Sequence, residues 1–195
     1  MLTELKNKHK GETCWIVGKG KSLLNLKRSD IGDGPVIAIY EAIVPVEMLG
    51  FPNALYCLEK DGGLNKRDPY TLSAECDDRQ CDFCKGVVRP RRATLLLHEL
   101  EAKYCFEDYS PRYLFSLPEI GMHENQFSLA CAIKIAKFFG CPKIVFVSCD
   151  AHATGDNRSC LPVFNQDYYD WIYDLQRRIL PPYLEEVDVS WVTPA

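Results

Sequence analysis

The residues with the clearest chemical potential form a short glycine-bearing loop. The loop occupies residues 18–22 and follows the apolar run at residues 12–17 (ETCWIV). Glycines let a backbone approach a phosphate closely, and a helix that begins after such a loop offers unpaired N–H groups at the positive end of its dipole. Two lysines and a serine hydroxyl add charge and donors. The predicted nucleotide-phosphate-binding residues are Gly18, Lys19, Gly20, Lys21 and Ser22.

This loop matches neither of two common phosphate-binding motifs. Trp15 stands where a Walker A motif needs glycine, and Leu23 stands where the dinucleotide fingerprint needs its third glycine. A second interpretation therefore stays open, in which the loop is a tight strand-to-helix turn whose lysines are only solvated.

A second polar segment, residues 149–156 (CDAHATGD), follows the apolar run at residues 143–148. Ligands of parallel α/β sheets bind beyond the carboxyl ends of the strands, so this position suits catalysis. His152, with an ordinary pKa of ~6.5, is predicted to take a proton from an acceptor hydroxyl, while Asp150 orients His152 or the substrate. Two alternatives stay open. Asp156 could hold a divalent ion on a diphosphate, or Asp150 could form an Asx turn beside an exposed His152.

Three cysteines lie together in a polar segment without sustained periodicity, residues 60–92. They are Cys76, Cys81 and Cys84. Thiolates two residues apart can bind zinc through a knuckle turn, and a loop without its own core gains stability from such a metal. The spacing predicts a structural zinc site in this insertion. The candidates for a fourth ligand are Cys57, His98, Cys105 and Cys160, and Asp78 and Asp82 could also contribute oxygen. Reduced thiols, or a redox pair formed by Cys81 and Cys84, are the alternatives.

The elements that must position these residues alternate between strands and helices. Apolar runs predict strands at residues 12–17, 36–40, 54–58, 94–97, 112–117, 143–148 and 187–192. Helical spacing and turn signals predict helices at residues 22–26, 41–49, 125–139 and 168–179, with Ser22 as the first N-cap and an interruption at Pro45. The pattern predicts one α/β domain over residues 1–195, with a Rossmann-like, mainly parallel sheet flanked by helices and a cysteine-bearing insertion.

Composition narrows the class of protein. The 195 residues are 47% hydrophobic and 26% charged, as expected for a globular domain with a real core. The net charge of −4 argues against a general nucleic-acid-binding protein. No apolar run reaches the ~18 residues of a membrane span, and residues 1–10 form a polar tail without the apolar centre of a secretory signal. We therefore expect a cytoplasmic protein with no membrane partner. Five further cysteines are predicted to be small core residues: Cys14, Cys57, Cys131, Cys141 and Cys149.

The glycine loop and a later helix–strand pair together resemble a known family. A strand followed by Gly-x-Gly-x-Ser-Leu is similar to the sialyltransferase-type nucleotide-sugar fold, in which the loop reads Gly-Asn-Gly-Pro-Ser-Leu. Related families include the flagellin motility accessory factors and the archaeal 6-hydroxymethylpterin diphosphokinases. In these families a Ser or Thr also precedes an alanine-rich helix that ends at Leu-Gly, and the next strand ends in Gly-x-Asp. The matching residues here are Ser128, Phe139-Gly140 and Asp150, within residues 12–156.

The resemblance implies roles for individual residues. The glycines and the serine of the loop would hold the nucleotide phosphate or ribose, and Ser128 would lie near the phosphates at a helix start. Asp150 would hydrogen-bond the acceptor or the donor sugar. Tyr40 occupies the end of the second strand, where the family often has asparagine, and is assigned to the same nucleotide site. The chain departs from the sialyltransferases downstream, since it has no histidine after His152 to match their general base.

The sequence therefore predicts a transferase that binds a nucleotide or nucleotide-sugar donor. A hydroxyl of a small-molecule or polymer acceptor would attack the donor, with the nucleotide as leaving group and the loop lysines neutralising its phosphates. The first alternative is an ATP-dependent diphosphokinase acting on a small heterocyclic alcohol, with Mg²⁺ held by carboxylates such as Asp150 or Asp156. The second alternative is a non-catalytic, metal-stapled binding module.

Overall fold

Seven strands form a single parallel sheet in the computed structural model, which describes residues 1–60, 92–101, 111–123, 127–158 and 166–195. The strands are β1 (Thr13–Val17), β2 (Val36–Ile39), β3 (Leu55–Glu59), β4 (Thr94–His98), β5 (Arg112–Phe115), β6 (Lys143–Val147) and β7 (Asp188–Val192). The α-helices are α1 (Ile43–Met48), α2 (Ser128–Phe138), α3 (Asp150–Ala153), α4 (Gln166–Ile179) and α5 (Pro181–Leu184). Short 3-10 helices span Leu2–Leu5, Lys21–Asn25, Arg28–Asp30, Tyr40–Ala42, Glu99–Glu101 and Pro118–Ile120.

The order of the strands confirms the predicted α/β fold. The sheet runs β5-β4-β3-β2-β1-β6-β7, and every neighbouring pair is parallel. The chain moves outward from β1 to β5 and then returns to place β6 on the other side of β1. The strand order therefore reverses between β1 and β6, and connections leave the sheet in opposite directions there. Such a switch point opens a crevice at the carboxyl ends of the two strands.

Both faces of the sheet are covered along the central strands β1 to β4 and β6, which explains why these strands read as continuous apolar runs. Ile16 and Ile37 pack on the face covered by α2. Val17 and Ala38, one residue further along the same strands, pack with α1 on the opposite face. The five cysteines assigned to the core are all buried, which confirms that prediction.

The helices near the glycine loop differ from the sequence expectation. The first is a 3-10 helix with Gly20 as N-cap, so Ser22 lies inside the helix and does not cap it. Pro45 does not interrupt α1, because it lies in the first turn, where a backbone N–H has no intrahelical partner. Helix α2 stops as expected, since Gly140 adopts a φ of 85° directly after its C-cap.

The N-terminal segment is part of the fold, which corrects the expectation of a polar tail. Leu2 and Leu5, three residues apart on one side of a 3-10 helix, are both buried. His9 is buried as well, and its Nε2 lies 2.8 Å from Oη of Tyr56. The apolar spacing of the two leucines within a lysine-rich stretch is the signal for this packing.

The cysteine-bearing insertion falls largely outside the described residues, and so do Cys76, Cys81 and Cys84. The predicted zinc site therefore stays a prediction. Among the helices that the structure describes, none has the length and apolar character needed to cross a membrane.

Candidate functional site

A cavity of about 350 Å³ lies at the carboxyl ends of β1, β2 and β6, at the switch point of the sheet. We call it the switch-point cavity. The N-terminus of α2 and one side of α4 line its walls. It brings together seven of the predicted site residues, namely Gly18, Lys19, Gly20, Tyr40, Ser128, Asp150 and His152. Lys21 and Ser22 lie elsewhere and line a shallower neighbouring pocket of about 260 Å³.

The two glycines of the loop are required by the neighbouring β6–α3 loop. A Cβ atom on Gly18 would lie 2.7 Å from Sγ of Cys149, and one on Gly20 would lie 2.5 Å from Cγ of Asp150. The loops are also joined through the backbone, since Gly20 N–H donates to the carbonyl of Ser148 at 2.8 Å. The glycines therefore allow close contact between two segments of the protein. The sequence predicted a different role for them, namely close approach of the backbone to a phosphate.

The side chain of Asp150 ties these two loops together. Its carboxylate accepts hydrogen bonds from the backbone N–H of Ser22 at 2.7 Å and from the Ser22 hydroxyl at 2.6 Å. Asp150 is only 3% exposed. The carboxylate thus occupies the anion-binding position at the start of the 3-10 helix, where a phosphate was predicted. Ser22 and Asp150 form a structural pair beside the cavity.

His152 is held by α4. Its Nε2 donates to Oε1 of Gln176 at 3.1 Å, and its ring stacks on Trp191 with 6.2 Å between centroids. Because Gln176 Oε1 can only accept, the other ring nitrogen, Nδ1, carries the basic lone pair. Partial burial lowers the pKa of His152, and the positive charge of Arg177 lowers it further. His152 is therefore neutral near pH 7, as a general base must be. The alternative of an Asx turn beside an exposed histidine does not describe this loop.

The lowered pKa of His152 predicts how stability depends on pH. The unfolded chain, with an ordinary histidine pKa of ~6.5, binds the proton more readily than the folded protein. We therefore expect stability to be highest above pH ~6.5 and to fall as the pH drops below it. His152→Gln should reduce this dependence in urea denaturation at pH 5–7.5, whereas His123→Gln removes an exposed imidazole as a control. Equal pH dependence in the wild type and His152→Gln would contradict the assignment.

Three side chains connect the walls of the cavity. The Lys19 ammonium lies 3.1 Å from Glu41 Oε2 and 5.0 Å from the centre of the Tyr40 ring. The Ser128 hydroxyl donates to Oη of Tyr40 at 3.0 Å. Tyr40 has a φ of 51°, which is unusual for an aromatic residue, and such strained positions concentrate at functional sites. The contacts place a cation, an aromatic ring and a hydroxyl across one opening.

Asp156 forms a salt bridge with Arg158. The guanidinium donates to both carboxylate oxygens, with the shortest contact at 2.6 Å, and these bonds lower the pKa of Asp156 to about 2. Asp150 is similarly occupied by Ser22. The two carboxylates that the diphosphokinase alternative assigned to Mg²⁺ thus already bind donors of their own chain.

Several residues that line the cavity were not predicted from the sequence. Lys60 and Ser148 directly follow β3 and β6, and both are buried. The rule that ligands lie beyond strand ends pointed to their positions, but neither residue type stood out. Tyr173 and Gln176 reach the cavity from α4. These two residues line the cavity because of where α4 packs, and a local sequence pattern does not predict the packing position of a helix.

The candidate fourth zinc ligands inside the described residues are poorly suited to that role. Cys57 is buried in β3, and burial raises the pKa of its thiol well above the ordinary value, which opposes the thiolate that zinc requires. His98 is buried against Phe115 and does not line the cavity. Cys105 and Cys160 lie outside the described residues. Within the described ranges, no cluster of three or more His, Cys, Asp or Glu could hold a metal ion.

A scan against protein-family models and searches of the curated proteins and of the solved structures found no match to this chain. The resemblance to sialyltransferase-type proteins therefore stays a prediction from the two motifs, and the function must be argued from the geometry of the site.

Proposed function

We propose that the switch-point cavity binds a nucleotide or nucleotide-sugar donor and that the protein transfers the activated group to an acceptor hydroxyl. The position of the cavity carries the proposal. It lies between the diverging β1 and β6 connections, where doubly wound parallel sheets bind nucleotides. Its volume of about 350 Å³ falls within the range of small-molecule sites, ~300–1,000 Å³.

The N-terminus of α2 favours an anionic ligand group. The 11-residue helix begins at Ser128, and its N-cap residue, Phe127, makes no side-chain capping bond. Phe127, Ser128 and Leu129 all line the cavity, so the positive end of the helix dipole faces the space that a phosphate would enter. Lys19 adds a cationic side chain at the opposite wall. Together these groups support phosphate binding by α2 and Lys19, with no direct part for Lys21.

Apolar and aromatic side chains complete the cavity and suit a base or sugar ring. Ile39 at the end of β2 and Ile172 on α4 line it, while Tyr40 and Tyr173 contribute aromatic rings. A cavity that combines an apolar wall with a few polar groups is typical of small-molecule sites. A nucleotide has both kinds of surface.

His152 is the candidate general base. In the proposed reaction, the hydroxyl oxygen of the acceptor forms a bond to the activated group of the donor. Nδ1 of His152 takes the proton of that hydroxyl. The bond from the activated group to the nucleotide breaks, and the electron pair leaves on the phosphate oxygen. Gln176 holds the imidazole by accepting from Nε2. Asp150 supports α3, the helix that carries His152, since it fixes the start of this helix against Ser22.

A thermal-shift panel tests the donor class. The full chain is melted with CMP, UDP, their sugar conjugates, and ATP, each with and without Mg²⁺. A nucleotide at ~100 times its Kd should stabilise the protein by about 2.7 kcal/mol. A shift with CMP or UDP compounds would support glycosyl transfer, and a shift only with ATP and Mg²⁺ would favour the diphosphokinase. The absence of any shift would contradict the proposal and favour a binding module.

Lys19 and Lys21 provide a matched pair of variants. Lys19 lines the switch-point cavity and Lys21 does not, so we expect Lys19→Ala to raise the nucleotide Kd about tenfold and Lys21→Ala to change it less than about twofold. Isothermal titration calorimetry measures both values. Because Lys19→Ala also leaves the Glu41 carboxylate without this partner, the double variant Lys19→Ala, Glu41→Gln controls for that charge. Equal losses in the two single variants would contradict the assignment.

A further inference from the structure

Ser148 stands out within the cavity, because no contact among the described residues uses its hydroxyl. It is the first residue after β6, is 0% exposed and lines the switch-point cavity. Its φ of 53° lies in the left-handed region, which serine rarely adopts. Its hydroxyl makes no hydrogen bond to any residue that the structure describes. Both features are unfavourable for the free protein.

Contacts of the backbone explain the conformation of Ser148 but do not explain its side chain. The carbonyl accepts the Gly20 N–H at 2.8 Å, and the amide donates to the carbonyl of Val192 at 3.1 Å. These bonds fix the backbone position, so the packing of the loops accounts for the left-handed conformation. They do not involve the hydroxyl. Glycine would adopt the same backbone without strain and would bury no unpaired hydroxyl.

The register of the sheet places Ser148 at the base of the cavity. Val17 of β1 is aligned with Val147 of β6, so Gly18 and Ser148 leave the sheet side by side at the switch point. The next polar side chain along the chain, Asp150 at the start of α3, is held by Ser22. Ser148 is thus the polar side chain of the β6–α3 loop whose bonding capacity the described fold leaves unused.

We propose that Ser148 is a ligand-binding residue whose hydroxyl hydrogen-bonds an oxygen atom of the nucleotide donor bound in the switch-point cavity. This inference rests on the proposed function and adds a specific contact to it. The bound donor would satisfy the buried hydroxyl, so a residue that destabilises the free protein stabilises the complex. Such an exchange of stability for binding is characteristic of functional sites.

Ser148→Gly and Ser148→Ala test the proposal in the full chain. Ser148→Gly relieves the left-handed strain, and we expect its Tm to rise by about 3 °C. Ser148→Ala keeps the Cβ and removes only the unpaired hydroxyl, and its Tm should not fall. Both variants should raise the Kd for CMP, UDP or ATP with Mg²⁺, whichever the wild type binds, about tenfold in calorimetry. Ser190→Ala, on β7 and away from the cavity, serves as the control and should leave the Kd unchanged.

The outcomes separate this inference from the function on which it rests. A wild type that binds a nucleotide while both Ser148 variants bind it equally well would overturn the inference and leave the proposed function intact. A lower Tm in Ser148→Gly would also overturn it, because the hydroxyl would then serve the fold. A wild type that binds none of the three nucleotides would overturn both proposals. A higher Tm combined with a weaker Kd is the result that supports a ligand contact.

Discussion

Replacement of Gly20 by alanine is expected to abolish the proposed nucleotide binding and to lower the free energy of unfolding by about 3 kcal/mol. The added Cβ would lie 2.5 Å from Cγ of Asp150 and 2.7 Å from the carbonyl oxygen of Ser148. Neither atom can withdraw easily, because the carboxylate is bonded to Ser22 and the carbonyl belongs to the backbone. The two loops must separate, and the cavity between them must change shape.

Urea denaturation and calorimetric titration with a nucleotide measure the effects of Gly20→Ala. Gly155→Ala is the control, because Gly155 has a φ of 78° and no described atom lies within 4 Å of its added Cβ. That substitution tests backbone strain without a clash and should cost about 1 kcal/mol. If both variants lose the same stability and Gly20→Ala still binds nucleotide, the close contact of the loops is not what requires glycine.

Removal of the Asp150 carboxylate should have a comparable effect on stability. Asp150→Ala deletes two buried hydrogen bonds to Ser22, of 2.7 and 2.6 Å, and leaves a buried N–H without its acceptor. Hydrogen bonds to charged groups contribute about 1.5–3 kcal/mol each, so we expect a loss of about 3 kcal/mol in the free energy of unfolding. Affinity for the proposed nucleotide ligand should fall as well, because the glycine loop is no longer held against α3.

A double-mutant cycle with Ser22→Ala isolates this pair. Asp150→Ala and Ser22→Ala should be non-additive, with a coupling of about 1 kcal/mol or more, because each removes the same hydroxyl–carboxylate bond. A purely catalytic Asp150 would give the opposite result, namely unchanged urea denaturation with a reduced rate of turnover. Additive losses would show that the two residues stabilise the protein through different contacts.

The general position of the site could be predicted from the sequence, because the relevant signals are local. The apolar run before Gly18 and the one before Asp150 are both strands in the structure, and the bounds of each differ from the prediction by one residue at one end. Parallel strands bring their carboxyl ends to one edge, so two polar loops that follow such runs are expected to meet there. The contact between the glycine loop and the loop carrying His152 agrees with this rule.

The bonding partners inside the site could not be predicted, because they depend on tertiary packing. Asp150 was expected to orient His152 or the substrate. Its carboxylate binds Ser22, and Gln176 on α4 holds the histidine. The two loop lysines look equivalent in sequence. Only the conformation of the loop directs Lys19 to the cavity and Lys21 to the neighbouring pocket.

The pairing of β1 with β6 also constrains how the protein folds. Strands β1 to β5 pair with their neighbours in chain order, whereas β6 must insert beside a strand 130 residues earlier, with Lys143 opposite Thr13. Contacts of such high sequence separation carry a large loop-closure entropy and slow folding. The switch-point cavity cannot exist until this insertion has occurred. Ligand binding would therefore report that this long-range step of folding is complete, and a nascent chain that ends before β6 would expose one whole edge of β1.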